Sequence, residues 1–70
     1  MIVVTRLDGK ETVVNVDQVL MVEDTPDTVI TFMNGHRLVV KEPVQELVDR
    51  AVQFKRRIHG GLQVVSNRER

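Results

Sequence analysis

Residues Thr31–Pro43 read TFMNGHRLVVKEP. A β-branched and aromatic run meets Asn34-Gly35, resumes as a second strand pattern from His36, and stops at Lys41-Glu42-Pro43. Asn-Gly between apolar runs is the strongest short-range signal for a β-hairpin. Pro43 cannot continue a central strand but suits the first turn of a helix, where its missing N–H costs nothing. The stretch therefore predicts strand, tight turn, strand, then helix.

Working outward, Asp8-Gly9 repeats the turn signal between Ile2–Leu7 and Lys10–Asn15. Read as a two-residue turn, it pairs Leu7 with Lys10, Arg6 with Glu11, Thr5 with Thr12 and Val4 with Val13. Arg6 opposite Glu11 would be a cross-strand ion pair. Val16-Asp17-Gln18 reads as a turn or one loop of 3₁₀ helix. Val19–Glu23 is a third strand, and Asp24-Thr25-Pro26-Asp27 a turn. Thr28–Met33 and His36–Lys41 are the fourth and fifth strands, with Met33 opposite His36.

After Pro43, Val44, Leu47, Val48, Ala51, Val52, Phe54 and Ile58 share one face at helical spacing, and charged residues fill the other. Glu46 and Arg50 form an i,i+4 pair in the favourable order. Arg56 and Arg57 complement the helix dipole, and Gly60-Gly61 is a stop signal. The expected fold is α+β: a small antiparallel sheet of about five strands built on two tight hairpins, with one C-terminal amphipathic helix packed on one face. Residues 1–59 make one domain, and 60–70 a flexible tail.

Both faces of the hairpins are partly apolar in this register. Val29, Thr31, Met33, His36, Leu38 and Val40 lie on one side of the second hairpin; Thr28, Ile30, Phe32, Arg37, Val39 and Lys41 lie on the other. One helix covers one face. With 70 residues and no Cys, disulfides are unavailable, so a homo-oligomer is expected to supply the missing cover, unless the sheet coils into a half-barrel.

The chain is neutral overall, but its halves differ. Residues 1–35 set two cations against six carboxylates, a net −4; residues 36–70 set eight against four, a net +4. Such asymmetry can mark an electrostatic contact face. Arg37, Lys41, Lys55, Arg56 and Arg57 are the candidate partner-binding residues. Lys55 is unusual because it falls near the apolar face, where it either snorkels or reaches an acidic partner. Nucleic acid is disfavoured: single-strand binding usually adds stacking aromatics, and only Phe32 and Phe54 exist.

Chemistry is sparse. The one Ser, Ser66, lies in the tail. His36 follows a hairpin turn, and His59 sits at a helix end. Asp24 and Asp27 read as turn residues rather than metal ligands. Gly60-Gly61 follows a helix, so it is no phosphate loop. No enzyme activity, cofactor or small-molecule substrate is expected. The N-terminus lacks the features of a signal peptide, and no apolar run reaches spanning length, so a cytoplasmic protein without membrane insertion is expected.

The motifs Thr5-Arg6-Leu7-Asp8-Gly9-Lys10-Glu11, Glu23 to Thr31, Asn34-Gly35-His36 and Val39-Val40-Lys41-Glu42-Pro43-Val44 occur in an order that resembles the FlbD/SwrD family of small bacterial flagellar and swarming-motility proteins. The similarity runs from Met1 to about Ile58. Asp8 stands where Asn is common in the family, His36-Arg37 where Lys-Lys is typical, and Pro43 where Ser is common. The resemblance implies a non-enzymatic accessory that raises motor power for swarming by supporting the stator units, near the inner face of the membrane. It supplies no catalytic residues. The alternative is a small oligomeric RNA-binding regulator of motility genes, an analogy of architecture with the carbon storage regulators.

Overall fold

The structure is a computed structural model and describes residues 1–57. The elements run β1 (Ile2–Thr5), β2 (Glu11–Val14), a 3₁₀ turn (Val16–Gln18), β3 (Val19–Glu23), β4 (Thr28–Phe32), β5 (Arg37–Val40) and α1 (Val44–Lys55). The α+β class and the element order agree with the reading from sequence. Gly60-Gly61, His59, Ile58 and the tail lie outside the described residues, so the boundary at residue 59 lies there too.

The five strands form two antiparallel sheets rather than one. β1 pairs with β2, and β3, β4 and β5 form the second sheet in that order. A single bridge, Arg6 with Val40, joins them, supported by the Lys41 N–H donating to the Thr5 carbonyl at 2.8 Å. Their inner faces meet in one core of Val4, Val14, Ile30, Val40 and Leu47. The two sheets thus fold over a common interior, as a half-barrel does, with Leu47 of α1 closing it.

The expected register is corrected by one residue in both hairpins. Val3 faces Val13 and Thr5 faces Glu11, so Arg6 is not opposite Glu11. Thr31 faces Arg37 and Ile30 faces Leu38. Both turns contain three residues, not two. Gly9 N–H bonds the Arg6 carbonyl and Arg6 N–H the Lys10 carbonyl; Gly35 N–H bonds the Phe32 carbonyl and Phe32 N–H the His36 carbonyl. The cause lies in the Asp and Asn side chains. Asp8 accepts the Lys10 N–H at 2.9 Å, and Asn34 accepts the His36 N–H at 3.0 Å. This local bond stabilises a turn in which only the glycine takes a left-handed conformation, at φ +92° for Gly9 and +90° for Gly35. A two-residue type I′ turn would force Asp8 and Asn34 there as well.

The shift re-sorts the faces. Thr28, Ile30, Phe32, Leu38 and Val40 now point inward together, joined by Ile2, Val4 and Val14. Val3 and Val13 point outward, 44% and 62% exposed. Ile30, Phe32, Leu38 and Val40 thus share the inner face, while Val3, Val13, Leu20 and Met21 stay exposed on the strands. A bulge at Leu20 interrupts the pairing of β3 with β4 between Val19 and Met21.

Because nothing lies within 4 Å of a Cβ added at Gly9 or Gly35, substitution tests the backbone alone. Gly9→Ala and Gly35→Ala should each destabilise the fold by about 1 kcal/mol, the cost of a left-handed L-residue. Urea unfolding checks this; an unchanged midpoint would mean that the turns relax without strain.

Candidate functional site

α1 is placed by a polar clamp at its N-terminal end. Glu42 precedes the helix and is 8% exposed. Its carboxylate accepts the Thr5 N–H at 2.8 Å and the Thr5 hydroxyl at 2.7 Å. Arg50, two turns into the helix, donates to Glu42 at 3.2 Å and to Glu46 at 2.8 Å. The same guanidinium reaches the Val3 carbonyl at 2.6 Å. β1, the turn into the helix and α1 are therefore tied at one point.

Burial pushes the Glu42 carboxyl up, but the Thr5 N–H and hydroxyl, the Glu42 backbone N–H and the Arg50 charge outweigh it, so it lies below the usual carboxylate range. Arg50 is held more basic by its hydrogen bond to Glu46, against some desolvation. The Glu46–Arg50 pair is legible as an i,i+4 spacing. The contacts of Glu42 to Thr5, 37 residues apart, carry no sequence signal beyond a Glu placed just before a helix.

At the far end of α1, Lys55 forms an ion pair with Asp17 of the 3₁₀ turn. Its side chain is thus engaged within the chain as well as reaching solvent. This second tie leaves Arg56 and Arg57 exposed just beyond the helix, and neither forms an ion pair among the described residues. The other two predicted contact residues belong elsewhere. Arg37 starts β5 and faces Glu23 of β3 at 3.5 Å. Lys41 is exposed and follows β5, where its main chain joins the two sheets. The structure brings Lys55, Arg56 and Arg57 together on one helix end; Arg37 and Lys41 lie on and just after the last strand.

The helix buries Leu47 and half-buries Val44, Ala51 and Phe54. Val48 and Val52, expected on the packed face, are 46% and 42% exposed. Sequence periodicity gives a broad apolar stripe, but the half-barrel covers only part of it.

Among the described residues no group of three or more His, Cys, Asp or Glu is placed to hold a metal ion. No helix among them is long and apolar enough to cross a membrane.

No curated protein and no solved structure matches the chain. A family model does, over residues 1–59, which takes in both hairpins, the Glu42 clamp and α1. On that match the chain belongs to the FlbD family of flagellar and swarming motility proteins.

Proposed function

We propose that the protein is a non-enzymatic accessory of the flagellar motor that supports torque, acting as a protein–protein adaptor at the stator units on the cytoplasmic side of the membrane. The observation that carries this reading is membership of a flagellar and swarming-motility family across the whole described fold. The surface that fits the role is the cationic helix end. Lys55 pairs with Asp17, and Arg56 and Arg57 follow it, exposed, at the same end. An acidic face on a motor protein is the matching partner.

Single-motor torque in a deletion strain, with filaments counted in the same cells, tests the proposal. The expected result is a normal filament number with low torque per motor, restored by the wild-type chain and restored less by Arg57→Glu. Full restoration by Arg57→Glu would move the contact off the helix end. Fewer filaments with normal torque would overturn the motor reading and favour control of flagellar gene expression; a salt-sensitive gel shift with a flagellar leader transcript would then test direct RNA binding.

A further inference from the structure

The exposed flank of α1 has an organisation of which the motor reading uses only Arg56. Val48 and Val52 are four residues apart, so they form one ridge along the helix. Beside Val48, the N-terminal member of the ridge, the core opens to the surface. A cavity of about 110 Å³ runs between α1 and the edge strand β3, with Val16, Val19, Val22, Leu47, Val48 and Ala51 in its apolar lining. A solvent-facing valine ridge beside a partly open core is a surface short of cover.

The charges on the helix are sorted by sign along its length. Glu46 and Asp49 occupy the N-terminal half, where Arg50 is taken up by Glu42 and Glu46. Lys55, Arg56 and Arg57 occupy the C-terminal end. At helical spacing Asp49 and Arg56 lie together along one side of the valine ridge. Asp49 accepts only from Gln45, at 3.1 Å, among the described residues, and Arg56 has no ion pair there.

We infer that this flank is the interface for a second copy of the chain, packed helix against helix in antiparallel orientation about a two-fold axis near Val52. A two-fold interface is self-complementary by symmetry. A parallel pair would set acid against acid and base against base. The antiparallel pair sets Asp49 of one protomer near Arg56 of its partner, twice, across a centre made by Val48 and Val52 from both. The area of one short helix pair is below that of a standard interface, so the dimer is weak and concentration-dependent.

The test is a mixing experiment on the purified full chain, read as solution mass by sedimentation or light scattering over a wide concentration range. Wild type should pass from one chain to two as concentration rises. Arg56→Glu makes the flank wholly acidic, and Asp49→Arg makes it wholly basic. Each variant alone should associate at least about tenfold more weakly, by like-charge repulsion. An equimolar mixture should recover the dimer, because every contact is then between opposite charges. Both positions are exposed, and circular dichroism confirms that each variant folds.

A wild-type mass of one chain throughout would overturn the inference, leaving a different partner to cover the ridge. A wild-type dimer with no recovery on mixing would overturn it too, by placing the contact on another face. Arg56 is shared with the motor reading, whose torque experiment rests on the deletion strain and Arg57→Glu, so the two readings fail on different measurements.

Discussion

Ile30→Ala should leave most of the chain unfolded at room temperature. Ile30 is 1% exposed and sits on β4, the middle strand of the larger sheet. It pairs with Val22 on one side and Leu38 on the other. Its side chain belongs to the core shared with Val4, Val14, Val40 and Leu47. Truncating a buried Ile to Ala costs about 2–5 kcal/mol, from lost transfer energy plus the cavity that remains. A single core in a chain of this size supplies no more than about 3–5 kcal/mol of net stability. The two figures are comparable, so the loss is global rather than local. Ile30→Val removes one methylene and should cost about 1 kcal/mol, leaving a folded protein. Val48→Ala, on the exposed ridge, should cost about 0.5 kcal/mol or less in dilute protein. Urea unfolding by circular dichroism ranks the three. An Ile30→Ala midpoint equal to that of Ile30→Val would show that the site collapses around the smaller side chain, and that the core is not centred there.

The same residue shows what the sequence could and could not specify. That Thr28–Phe32 is a strand follows from its β-branched composition, and that a turn occurs at Asn34-Gly35 follows from the dipeptide. Which way Ile30 points depends on whether two or three residues form that turn. The Asn34 oxygen bonding the His36 N–H decides it, and Asp8 decides the first hairpin in the same way. A competition between two turn types with the same dipeptide differs by one local hydrogen bond, and periodicity does not resolve it. The helix was legible because 3.6-residue spacing repeats over twelve residues. The part of its stripe left uncovered was not, because cover depends on how the two sheets close. The cationic end at Lys55–Arg57 was legible as a charge run. Its ion pair with Asp17, 38 residues away in sequence, was not.

Glu42→Ala should be the most damaging polar substitution. It strands the Thr5 N–H and hydroxyl at a largely buried point and frees Arg50 from β1's neighbour in the clamp. Arg50 keeps Glu46 and the Val3 carbonyl, so the loss is mainly that of the two part-buried Thr5 bonds, about 1–3 kcal/mol. Glu42→Gln keeps the shape and one acceptor for the Thr5 N–H, but sets an amide beside a guanidinium; about 1 kcal/mol is expected. Thr5→Val removes only the hydroxyl bond, so its cost combined with Glu42→Ala should be less than the sum of the two alone. Acid gives an independent reading. The folded state holds the Glu42 carboxyl below its unfolded value, so its contribution is fully present above the ordinary carboxylate range and is lost as pH falls through the folded value. Wild type should therefore lose stability with a steeper acid slope than Glu42→Gln. Parallel slopes for the two proteins would show that Glu42 titrates alike in both states. The clamp would then hold α1 by shape and packing, and the charge of Glu42 would have no part in setting the helix on β1.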